Sequence, residues 1–110
     1  MRESELVNQI RLAAPSLNCF LLRNNCGVLT DIRGKYVKFG VGNPGGSDLI
    51  GWTIKHGAAI FTAVEVKRPK CKPTPQQVAF LKAVEQAGGI ACVATCVEDL
   101  QRAIGEWDGD

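Results

Sequence analysis

A nearly uninterrupted apolar run, Ala59-Ile60-Phe61-Thr62-Ala63-Val64, leaves this chain few ways to fold. Six such residues, ended by charges, fit a strand buried on both faces. The run before it, residues 48–54, reads as a second strand, and Lys55-His56-Gly57 as the turn between the two. Folding the arms back about His56 sets Asp48 opposite Glu65. Side chains directly across an antiparallel pair lie ~5 Å apart, where like charges repel. Two carboxylates so placed make sense around a divalent cation. Lys67, on the next same-face position, adds a positive charge, and together the three suit metal-assisted phosphodiester chemistry.

The rest of the chain supplies layers for that hairpin. Leu6, Val7, Ile10, Ala13, Ala14 and Leu17 recur at helical spacing, so an amphipathic helix is expected over residues 3–14, ended near Pro15. Strands follow at 17–24, 27–32 and 35–40, then a permissive loop, Gly42-Asn43-Pro44-Gly45-Gly46. Past a basic loop at 68–73, Thr74 and Pro75 start a helix that Gly88-Gly89 ends. A buried strand at 90–95 and a helix at 97–107 complete the order. Helix, strands, helix, strand, helix is an α/β domain with a mixed central sheet flanked by helices.

Size and composition set bounds. At 110 residues, 45% hydrophobic and 22% charged, the chain suits one folded domain over residues 1–110. A formal charge of +2 does not by itself argue for nucleic acid. Its distribution says more: Lys67, Arg68, Lys70 and Lys72 crowd one stretch, and Arg23, Arg33, Lys35 and Lys38 another. Basic strips beside carboxylates suit a polyanion, though two solvated loops would look the same. Five cysteines without a C-x-x-C pair, and a single histidine, make zinc a poor fit. Free thiols fit a reducing cytoplasm. The polar start of the chain does not resemble a signal peptide, and no apolar run reaches the ~20 residues that span a bilayer.

Each site residue also has an ordinary reading. Asp48 follows a glycine-rich loop, where Asp often serves the turn. Glu65 and Lys67 could form a simple ion pair, but a carboxylate on a central strand needs a partner or a metal to offset its desolvation. Gln77 completes a capping box with Thr74, yet it also sits at one end of the face formed by Phe80, Leu81 and Val84, within reach of a metal ligand or a phosphate. Glu3 and Glu5 both favour a helix start. Glu3, on the stripe with Leu6, Val7 and Ile10, is the better third carboxylate. Asn24, Asn25 and Tyr36 are weaker candidates for DNA contacts, and His56 and Cys71 read as structural or incidental.

Taken in order, these pieces resemble the PD-(D/E)XK nuclease superfamily, and within it the VRR-NUC (virus-type replication-repair nuclease) family. The matching segments are Gly46-Ser47-Asp48-Leu49-Ile50-Gly51, Glu65-Val66-Lys67-Arg68-Pro69, Thr74-Pro75-Gln76-Gln77, Phe80-Leu81 and Ala87-Gly88-Gly89. Arg23-Asn24-Asn25 followed by Gly27 is similar to small phage members. The E-x-K triplet is weak alone; the ordered set is specific, and it runs from Glu3 to about Ile104, as in a stand-alone domain. Ser47 stands where the family name implies proline.

The resemblance implies a restriction-endonuclease-like core in which Asp48, Glu65 and the Val66 carbonyl bind Mg²⁺ or Mn²⁺. It implies Lys67 as the catalytic lysine, Gln77 as an accessory residue and Glu3 as a looser N-terminal ligand. Arg68, Lys70 and Lys72, with Lys35 and Lys38, would hold nucleic-acid phosphates. The activity implied is a structure-selective DNA endonuclease, cutting four-way junctions or flaps as a homodimer in the cytoplasm of a bacterial or phage-infected cell. A non-catalytic DNA-binding module and a nuclease acting on RNA are the rivals.

Overall fold

The computed structural model describes residues 1–109. Helix α1 (Glu3–Ala13) runs into a short 3₁₀ turn (Ala14–Leu17), followed by strand β1 (Cys19–Arg23) and the hairpin β2 (Gly27–Thr30) and β3 (Tyr36–Phe39). Then come β4 (Leu49–Lys55), β5 (Ala58–Val66), α2 (Pro75–Gln86), β6 (Ile90–Ala94) and α3 (Val97–Glu106). The main sheet has the order β1-β4-β5-β6, antiparallel except where β5 meets β6. This is the expected mixed sheet flanked by helices.

β4 and β5 join through a two-residue turn in which His56 and Gly57 both take left-handed φ, 52° and 75°. That geometry matches the twist of the strands it connects. The register pairs Leu49 with Val64 and Lys55 with Ala58. Continued by one residue, it sets Asp48 across from Glu65.

Two apolar layers hold the sheet. Leu6, Val7 and Ile10 of α1 and Leu100 of α3 pack on Val64 and Val66, while Leu81 and Val84 of α2 pack on Ala63 from the other side. Helix α2 begins with a complete capping box, Thr74 Oγ1 accepting from the Gln77 N–H and Gln77 Oε1 accepting from the Thr74 N–H. At α3 the cap is displaced by one residue: the Asp99 carboxylate accepts from the Thr95 N–H and hydroxyl.

Three expectations are corrected. The strand placed at 17–24 begins only at Cys19, because Pro15, with its fixed φ, extends the helical winding to Leu17. The strand placed at 27–32 stops at Thr30, because Asp31 Oδ1 accepts the N–H groups of Arg33 and Lys35 and turns the chain. It pairs with β3 in a separate two-stranded sheet. The strand expected to be buried along its whole length is buried only from Thr62 to Val66; Ala58, Ala59 and Phe61 are exposed. Helix α2 does not reach them.

Candidate active site

The site forms where the start of β4 meets the end of β5. Asp48 is held from both flanks: its carbonyl accepts the Asn24 N–H at 2.8 Å, and its Oδ2 accepts the Val66 N–H at 2.8 Å. Glu65, one register position across, is 1% exposed, and its Oε2 has no hydrogen-bond partner. Burial pushes the Glu65 carboxyl up to about 9, and a hydrogen bond to Asp48 and the charge of Asp48 push in the same direction. Lys67 pulls it partly back, and Glu3 raises it a little further. A buried acid with an orphaned oxygen, crowded by a second carboxylate, is strained in isolation and eased by a cation.

The structure brings three of the expected residues to one place. Asp48, Glu65 and Lys67 share the strand ends, and Glu3, half-buried at the start of α1, is near enough for its charge to act on Glu65. Glu5 is turned away, paired with Arg2 at 3.0 Å on the surface. Gln77 lines the same cavity as Asp48, of about 470 Å³, together with Asn24, Gly45, Gly46 and Thr74. Its Oε1 is committed to the cap, which leaves the Nε2 donors for the cavity. The basic residues do not gather: Arg68, Lys70 and Lys72 are exposed on the loop after β5, and Lys35 and Lys38 lie on the separate β2–β3 hairpin. Arg68 also lines a larger cleft of about 690 Å³ beside the start of α1.

Asn24 is a correction. Its side chain does not reach out to a ligand: Nδ2 donates to the carbonyls of Val41 and Ser47 at 2.8 and 3.0 Å, and Oδ1 accepts from the Val41 N–H. Asn43 Nδ2 donates to the carbonyls of Gly27 and Phe39. These two asparagines tie the hairpin and the glycine loop to the strand that carries Asp48. Ser47 is buried and donates its hydroxyl to the Leu49 carbonyl at 2.9 Å. That bond restrains the position where the related pattern has proline. A Cβ at Gly46 would meet the Val41 carbonyl at 1.9 Å, so this approach admits only glycine. The one signal for the clamp in the sequence is the readiness of Asn to bond backbone.

The donor set fits a hard cation. Two carboxylates and a carbonyl are all oxygen, and Mg²⁺ uses one or two protein carboxylates while keeping its own waters. Among the described residues no three acidic, His or Cys side chains are grouped so as to hold a metal ion together.

The family model of the VRR-NUC domain matches residues 7–98. The chain belongs to the VRR-NUC family. The match holds Asp48, Glu65, Lys67 and Gln77 but starts after Glu3 and ends before Ile104, a narrower span than the one expected from the motifs. This VRR-NUC chain is therefore a nuclease domain of the PD-(D/E)XK type, a hydrolase with DNA as its substrate class. No curated protein and no solved structure matches the chain.

Proposed function

We propose that this VRR-NUC chain is a divalent-cation-dependent endonuclease that cuts DNA at branched structures such as four-way junctions or flaps, and that it works as a homodimer. The observation that carries the cation dependence is the buried, partnerless Oε2 of Glu65 beside Asp48. Asp48, Glu65 and the Val66 carbonyl would hold Mg²⁺ or Mn²⁺, with Glu3 approaching from α1. A cation bound there supplies Lewis acidity at the phosphate and makes water a better nucleophile near neutral pH.

The chain supplies the remaining chemistry. Lys67, half-buried and close enough for its charge to act on Glu65, offsets the negative charge that grows on the phosphate during attack. The Gln77 amide donates into the cavity that Asp48 lines. Arg68, Lys70 and Lys72 grip the flanking phosphates without reading bases. Lys35 and Lys38, carried out on the β2–β3 hairpin, reach a second arm of the substrate, and this separation of the two basic groups supports the branched class. Five unpaired thiols, two of them exposed, suit a reducing cytoplasm.

The test is cleavage of labelled four-way junction, flap, single-stranded and duplex DNA, with matching RNA strands, in Mg²⁺, Mn²⁺ or EDTA. Metal-dependent cutting of branched DNA that is lost in Lys67→Ala and Glu65→Ala is the expected result. Cutting that persists in EDTA or in both variants would place the chemistry elsewhere. Cutting confined to RNA would replace the substrate class.

A further inference from the structure

Residues 28–41, the β2–β3 hairpin and its tip, are all exposed, and none of them joins either apolar layer of the main sheet. Two strands standing alone in water are marginal. This pair is nevertheless fixed at both ends. At its base the Asn24 side chain bonds the Val41 backbone, and the Asn43 amide donates to the carbonyls of Gly27 and Phe39 at 2.7 Å each. At its tip Asp31 Oδ1 accepts the N–H groups of Arg33 and Lys35, and Gly34 takes a left-handed φ of 80°. Order without burial holds these side chains out toward a partner.

Two side chains stand out furthest. Ile32, at the tip, is fully exposed, and Tyr36, at the start of β3, is 83% exposed. The register sets Tyr36 across from Thr30 and Lys38 across from Val28, so Tyr36 and Lys38 share one face of the hairpin. On the other face Phe39 folds back over Gly27, where a Cβ would meet its ring at 2.5 Å. Arg33, Lys35 and Lys38 surround the two exposed side chains in sequence, and all three are exposed. The one acid of the hairpin, Asp31, is committed to the turn.

We propose that this hairpin is a wedge for the branch point of DNA. Ile32 enters between the base pairs where two arms part, and Tyr36 stacks on a base that this exposes. Arg33, Lys35 and Lys38 hold the phosphates around the opening. An apolar side chain pushed between base steps is a general means of unstacking and kinking a duplex. The pairs at a branch open most readily, because unstacking costs least where pairing is already interrupted. An aromatic face takes any base, so the contact reads structure and not sequence. Charge favours this occupant over a protein, since the core of a protein interface excludes lysine and these cations flank both apolar contacts. The proposal takes branched DNA from the reading above and names the residues that recognise the branch.

The clamp at the base also sets the reach from the wedge to the chemistry. The Asn24 N–H holds the Asp48 carbonyl, and Ile32 follows Asn24 by eight residues. An extended chain of that length spans at most ~26 Å. Successive nucleotides of a duplex strand lie ~3.4 Å apart, so cuts should fall within about eight nucleotides of the branch. This spacing rests on the nuclease reading, whereas the wedge needs only binding.

Binding in EDTA tests the wedge apart from any cutting. The probe is a four-way junction carrying 2-aminopurine either beside the branch or in the middle of an arm. Wild type should raise the emission beside the branch, leave that in the arm unchanged, and bind the junction at least about tenfold tighter than linear duplex. Ile32→Ser should abolish the rise. It and Tyr36→Ala should each weaken junction binding about tenfold, with duplex affinity and the thermal melt as in wild type. Ile32→Leu and Tyr36→Phe, which keep the apolar tip and the ring, should behave as wild type. Emission that stays flat at saturation, a junction bound no tighter than duplex, or an Ile32→Ser variant that keeps both the rise and the affinity overturns the proposal. Wild type that gives the rise but cuts nothing in Mg²⁺ or Mn²⁺ would remove the nuclease reading and leave the wedge. Cutting of branched DNA without the rise would do the reverse.

Discussion

Glu65 concentrates the conflict between stability and function in one side chain. Its carboxyl titrates near 9 when folded and near 4.5 when unfolded, so the native state binds the extra proton between those values. The stability this confers is complete below the unfolded value and is lost as pH rises through the folded one. Without divalent cations the protein should therefore melt at progressively lower temperature from pH 5 to about pH 9, a trend that calorimetry in EDTA would show. Glu65→Gln keeps the shape and removes the charge. It should stabilise the cation-free protein by about 2 kcal/mol at pH 8 while cutting is lost, read by denaturant melts beside the cleavage assay. Lys67→Ala should leave the fold intact and lower the cleavage rate by ~10²–10³. A substitution that destroys activity yet raises stability is the mark of a site kept for chemistry.

The glycine loop and the hairpin act on the site through backbone geometry. Asn24 fixes Val41 and Ser47, and Asp48 lies directly after the clamp. Asn24→Ala should loosen Asp48 without removing a ligand, weakening Mn²⁺ binding ~10-fold in a titration while the thermal melt changes little. Gly46→Ala forces Cβ into the Val41 carbonyl and should impair cutting more than it impairs folding. At the other end of the sheet, hydrogen bonds from the Thr95 backbone and hydroxyl hold the Asp99 carboxyl below its usual 3.8. That contribution is present above the unfolded value and is lost as pH falls through the lowered folded one, so Asp99→Asn should flatten the acid limb of the stability curve. The helices and the β4–β5 hairpin were legible because periodicity, capping residues and turn chemistry are local. The short β2 and the 3₁₀ turn were not, because Asp31 and Pro15 set chain direction through contacts that a hydrophobic pattern does not carry.

At the scale of the whole molecule the thiols report how the layers close. Cys19 is buried, and burial pushes the thiols of Cys19 and Cys92 up, that of Cys92 to about 12. Cys26 and Cys71 are exposed. An aromatic disulfide reagent should modify Cys26 and Cys71 rapidly in the native protein and reach Cys19 and Cys92 only on unfolding. The sequence by itself determined the element order, the mixed sheet, the family and the facing of Asp48 on Glu65, because a strand period of two and a short turn leave little freedom in register. It did not determine which parts of the apolar run would be covered. That depended on where α2 lands on the sheet, and the helix spans only β5 and β6. Nor did it assign Asn24, whose partners lie 17 and 23 positions away in the chain. Only tertiary packing decides which backbone carbonyls an amide will meet, and only tertiary packing leaves Phe20, Leu22, Trp52 and Phe61 facing outward beside the site.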